Sequence, residues 1–84
     1  MHRSIIFPQR LSYLRKRAGI SQKQLGAAIG LSDKAICTLE NGMRETNFAN
    51  LVLLAEYFHV STDYLLGITD DSTWRGDSDE KEHL

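Results

Sequence analysis

The chain has almost nothing with which to build covalent or metal-held structure. It contains one cysteine, Cys37, so no intramolecular disulfide can form, and a lone thiol fits a reducing compartment. Its three histidines, His2, His59 and His83, are scattered and show none of the spacings of a zinc site. No serine–histidine or serine–lysine arrangement marks an activated nucleophile. The expectation is therefore a protein that is not an enzyme, with no cofactor and no metal. No apolar run approaches the roughly 20 residues of a membrane span. The first residues offer only Ile5, Ile6 and Phe7 before Pro8, too short for a secretory signal. A cytoplasmic location away from membranes is expected. Nothing between residues 7 and 67 alternates with the period of a strand, and there are no internal repeats.

What is present suits one small helical domain. The 84 residues allow a single core, and a chain of that size buries only about 60% of its unfolded surface. The net charge of −1 conceals an uneven distribution. Residues 1–67 carry eight basic and five acidic side chains, whereas residues 68–84 carry two and six. A mildly basic body followed by an acidic tail suits a polyanion-binding surface on the body.

Phe7, Leu11, Leu14 and Ala18 are spaced as one face of a first helix, with Pro8 in its first turn and Gly19 at its end. Ser21 and Gln24 form a capping-box pattern opening a second helix that turns Leu25, Ala28 and Ile29 inward and stops at Gly30. Ser32 caps a third helix, with Asp33 against its dipole, Ile36 and Leu39 as its inner stripe, and Asn41-Gly42 as its end. Thr46 or Asn47 caps a fourth, whose apolar set is Phe48, Leu51, Leu54, Ala55 and Phe58. Ser61 opens a short fifth helix through Leu66, closed by Gly67. The predicted fold is all-α, with a domain over residues 1–67 and a tail over 68–84. That tail is rich in Asp, Ser, Gly and Glu, with one aromatic, Trp74, and its composition predicts disorder.

The second and third helices are joined by a turn at Gly30, and helices joined so briefly cross at about 90–120°. The outward face of the third helix is then Asp33, Lys34, Cys37, Thr38 and Asn41. These mostly short polar side chains can enter a major groove about 12 Å wide. Two ordinary amphipathic helices of a small bundle would give the same periodicity.

The run from Gln22 to Asn41 resembles the helix-turn-helix of the lambda-repressor/Cro superfamily, the xenobiotic-response-element family of regulators. The likeness extends to Arg10-Leu11, Leu14-Arg15, Ala18-Gly19-Ile20-Ser21, Leu39-Glu40-Asn41-Gly42, Leu51 to Ala55 and Val60 to Gly67, covering about residues 8–67. It implies a five-helix domain that binds double-stranded DNA, commonly as a homodimer on a palindromic operator, and a repressor as the expected regulator. It places Asp33, Lys34 and Thr38 at base-reading positions. Gln22, Lys23, Ser32, Asn41 and Arg44 fall at backbone-contacting positions. It also implies a buried ion pair between Arg15 and Glu40. The dimer surface is expected around the fifth helix, from an exposed apolar set of Tyr64, Leu65 and Leu66. Plainer roles stand beside these: Asp33 also serves as a helix-start acid, and Lys34 as a solvated lysine. The competing function is an antitoxin or other protein-interaction module that also binds its own promoter. In that case Trp74 and the acidic tail would engage a protein partner.

Overall fold

A computed structural model describes residues 6–73; Trp74 and the rest of the acidic tail lie outside them. Five helices follow in order, with no strand among the described residues: α1 (Ile6–Ala18), α2 (Gln22–Ile29), α3 (Asp33–Asn41), α4 (Phe48–Phe58) and α5 (Thr62–Leu66). The fold is the all-α, five-helix arrangement that the pattern of caps and apolar stripes predicts.

The boundaries follow from local chemistry. Each helix from α2 to α5 begins with a side-chain oxygen that accepts a first-turn N–H: Ser21 from Gln24, Ser32 from Ala35, Asn47 from Asn50 and Ser61 from Tyr64. Ser21 and Gln24 complete a reciprocal capping box, because the Gln24 side chain also accepts the Ser21 N–H. Of the two candidate caps for α4, Asn47 is the one used. At the other ends the chain turns into the left-handed region, at His59 after α4 without the help of a glycine.

One core unites the helices: Phe7, Leu11 and Leu14 of α1, Leu25 of α2, Ile36 and Leu39 of α3, Leu51, Leu54 and Ala55 of α4, Val60, and Leu65 of α5. α3 packs against α2 and α1, α4 against α2 and α5, and α1 against α5. Gly26 makes the α2–α3 crossing possible. A Cβ there would run into the backbone carbonyl of Leu31, so the turn folds against α2 only because this position has no side chain.

Several positions differ from the periodic reading. Ala18 and Ala28, expected inside, are exposed; Ile29, also expected inside, packs against the core, as does Ile20 after the end of α1. Phe48, expected in the inner stripe of α4, is 88% exposed. It is the first residue of the helix, and the buried stripe begins one turn later at Leu51. Leu65, expected on an exposed apolar surface, is fully buried; Tyr64 and Leu66 are half-buried. The exposed apolar surface lies on α4 instead, at Phe48, Val52, Leu53 and Tyr57.

The chain stays in contact with the body past Gly67. Arg10 of α1 donates to the Tyr64 carbonyl (2.7 Å), the Thr69 carbonyl (2.8 Å) and the Asp70 carboxylate (2.6 Å). Its guanidinium lies 4.0 Å from the centre of the Tyr64 ring.

Candidate nucleic-acid interface

The outer face of α3 is polar. Ile36 and Leu39 are buried. Lys34 and Thr38, four residues apart, lie one above the other on the opposite side. Asp33, Lys34 and Asn41 are exposed, while Cys37 and Thr38 are half-buried between them. The Thr38 hydroxyl donates to the Ala35 carbonyl at 2.9 Å. Its hydrogen is therefore committed to the helix, leaving lone pairs and a methyl group to face outward. The Asn41 amide donates to the Cys37 sulfur at 3.5 Å, which holds both side chains along the same face.

Two helix beginnings lie at the edges of this face. Capping uses the N–H groups of Gln24 and Ala35. The first-turn N–H groups of Gln22, Lys23, Asp33 and Lys34 are not taken by the caps, so the positive ends of α2 and α3 remain available to anions. Lys23 is exposed beside the first of these, and Ser32 caps the second. Arg44 is exposed in the loop that follows α3. Three exposed cations, Lys23, Lys34 and Arg44, thus sit on α2, α3 and the loop beyond it.

A polar network fixes α3 in place. Arg15 of α1 meets the Glu40 carboxylate with two donors, Nε to Oε2 at 2.6 Å and Nη2 to Oε1 at 3.1 Å. Its third nitrogen, Nη1, donates to the Ile20 carbonyl at 2.8 Å. The two side chains are only 13% and 6% exposed. The hydrogen bond to Glu40, then its charge, hold the Arg15 guanidinium above its ordinary pKa against the opposing effect of burial. Gln22, the first residue of α2, donates from Nε2 to Glu40 Oε1 at 3.1 Å. One carboxylate on α3 therefore receives donors from α1 and from α2.

The sequence suggested the Arg15–Glu40 pairing through a resemblance, but not the third member. The resemblance places Gln22 at a backbone-contacting position; its amide also donates to Glu40. The signal available was spacing alone: Gln22 and Glu40 are the polar residues at the start of one crossing helix and the end of the other. The Arg10–Tyr64–Asp70 cluster was also not foreseen, because its partners lie more than fifty residues away in the chain.

Residues 11–65 match the helix-turn-helix family HTH_3. The chain belongs to this family, of the Cro/C1 type. It is 36% identical over 66 residues to the uncharacterized HTH-type transcriptional regulator YobD of Bacillus subtilis, covering 79% of this chain and 59% of that protein. It is 32% identical over 59 residues to the HTH-type transcriptional regulator ImmR of the same organism, covering 70% and 46%. The chain thus spans about half the length of these relatives. Among solved structures it is similar to the P22 c2 repressor in complex with the synthetic operator 9T, with a TM-score of 0.71 and 36% identity, covering 74% of this chain and 96% of that one. No described helix is long and apolar enough to cross a membrane.

Proposed function

We propose that the chain is a sequence-specific DNA-binding transcriptional regulator that inserts α3 into the major groove and acts as a repressor. The observation that carries the reading is the polar face of α3 itself. It is held outward by the Arg15–Glu40–Gln22 network, in a fold shared at 36% identity with a repressor solved on its operator. Lys34 supplies donors suited to guanine O6 and N7. Thr38 offers a methyl group for thymine and acceptor lone pairs for an exocyclic amine. Asp33, at the helix start, can accept from cytosine N4. Gln22, Lys23, Ser32, Asn41 and Arg44 surround these positions and meet the sugar–phosphate backbone. Selection of bound fragments from genomic DNA tests the reading. It predicts recovery of a short shared site, and recovery of unrelated sequences in proportion to their abundance would refute it.

The operator is palindromic in this reading and the protein binds it as a homodimer through the region around α5 and its flanks. Half-sites would then lie roughly 34–36 Å apart. With Leu65 in the core, the exposed apolar groups in that region are Ile68, just after α5, and Val52, Leu53 and Tyr57 on the neighbouring α4. Sedimentation of the protein with a two-half-site operator tests this. A single copy bound at saturation would refute it. Trp74, which the antitoxin reading assigns to a protein partner, lies outside the described residues.

A further inference from the structure

We propose that Glu40, which has no place on the DNA-facing surface, is a positioning residue that orients the Gln22 amide for a backbone phosphate. The proposal rests on the DNA-binding reading above.

The argument starts from what each group can do. An ionised carboxylate only accepts hydrogen bonds, and an amide side chain has a donating end and an accepting end. A glutamine at the edge of a helix is free to present either end. A phosphate oxygen also only accepts, so a glutamine that presents its carbonyl to DNA repels the backbone it should bind. Here Gln22 Nε2 lies 3.1 Å from Glu40 Oε1, and only the nitrogen end can sit there. The nitrogen carries two hydrogens. Glu40 takes one, and the geometry of a planar amide directs the other away from Glu40. Gln22 is half-buried rather than enclosed, so that second hydrogen has access to solvent or ligand.

Glu40 can hold this orientation because it is itself held. Two donors from Arg15 fix the carboxylate plane, and the Glu40 side chain is 6% exposed, so it has little freedom to follow a moving glutamine. Arg15 also compensates its charge, which keeps a carboxylate tolerable close to where a phosphate would bind. The adjoining N–H groups at the start of α2 point the same positive end at the same phosphate. The amide is thus set before DNA arrives, and binding does not have to select one of its two orientations.

A double-mutant cycle on DNA binding tests the role, using the whole protein and a short random-sequence duplex at low salt. A phosphate contact does not depend on the operator, so this probe is sufficient. Gln22→Ala is expected to weaken binding about threefold to tenfold, the range of one hydrogen bond to a charged group. Glu40→Gln, whose oxygen stays with Arg15 Nε so that its new amide nitrogen faces Gln22 and holds the carbonyl end of that side chain, is expected to weaken binding at least about threefold more in the parent than in Gln22→Ala. Glu40→Gln also removes a negative charge and loosens the fold, but both effects appear equally in the two backgrounds and cancel in the cycle. Additivity within about twofold would overturn the positioning role. If the parent binds no duplex at low salt, the DNA reading falls and takes the proposal with it. A second measurement needs no variant. In the free protein one of the two Gln22 side-chain amide protons, the one given to Glu40, should exchange with water more slowly by NMR than in a free glutamine, and equal free-glutamine exchange of both would overturn the proposal whatever the cycle gives.

Discussion

Replacing Arg15 with methionine leaves the Glu40 carboxylate in place with one neutral donor, Gln22, where it had three hydrogen bonds, two of them from a cation. The carboxylate cannot turn to water, since its side chain is 6% exposed. Stranding a buried charge in this way costs about 3–5 kcal/mol. Glu40→Gln is gentler. Arg15 keeps its bond to the Ile20 carbonyl and gains a neutral oxygen in place of the carboxylate, so the loss is about 1–2 kcal/mol. In a domain of this size each kcal/mol moves the melting temperature by roughly 4–8 °C. Arg15→Met should therefore lower it by at least roughly 12 °C and Glu40→Gln by roughly 4–16 °C. The double variant Arg15→Met with Glu40→Leu removes both charges together and should melt above Arg15→Met alone, because no buried charge is left uncompensated. Thermal unfolding followed by far-ultraviolet circular dichroism measures all three. A solvated surface pair gives about 0–1 kcal/mol instead. A loss under about 0.5 kcal/mol in both single variants would refute the reasoning. So would a double variant that melts at or below Arg15→Met alone.

Lys34→Ala and Thr38→Ala should each cost about 1–3 kcal/mol on the selected operator and relax preference at particular base pairs. A randomised-site selection in which the Lys34→Ala variant keeps every base preference would reduce Lys34 to a phosphate contact. Arg44→Ala should weaken all sequences alike and reduce the salt slope by about one, measured by titrating salt on a fixed duplex. Truncation after Thr73 leaves Asp70 on Arg10 but removes Asp77, Asp79, Glu80 and Glu82 against Arg75 and Lys81. It should tighten binding to random DNA, most at low salt where screening is weakest. An unchanged affinity there would free the tail for a protein partner.

The helix boundaries were legible because they rest on single residues with local jobs. Ser21, Ser32 and Ser61 each satisfy an N–H three residues on, and that chemistry needs no tertiary context. The inner stripes were legible in the middle of each helix and not at the ends. Leu11, Leu25, Ile36 and Leu54 lie where another helix crosses and are fully buried. Ala18, Ala28 and Phe48 continue the same periodicity past the point where the partner stops. Spacing gives the direction a side chain takes from its helix axis but not whether anything stands opposite it. Leu65 shows the reverse error. Three adjacent apolar residues on one turn cannot all point inward, and only the packing of α1 and α4 on α5 decides which of them does.

The site was legible to the extent that it is a face of one helix, and illegible where it depends on how that helix is turned. Ile36 and Leu39 require the far side of α3 to face outward, and so Lys34 and Thr38 follow from spacing. Yet two buried aliphatic side chains define that rotation only loosely, because apolar contact has no direction. Groove recognition has a tighter requirement, since hydrogen bonds to base edges weaken steeply with distance and angle. The directional contacts come from elsewhere. Glu40 stands one residue beyond Leu39 and is bound by two nitrogens of Arg15 and one of Gln22. In the proposed complex, a rotation of α3 that moved Lys34 across the groove would break both bonds to Arg15 at once. An apolar pair at positions 15 and 40 could match the stability of the ion pair and still allow that rotation. If α3 reads the groove as proposed, the ion pair constrains recognition more than it need stabilise the fold. That is why the residues that set the geometry of the polar face lie in none of the positions that face outward.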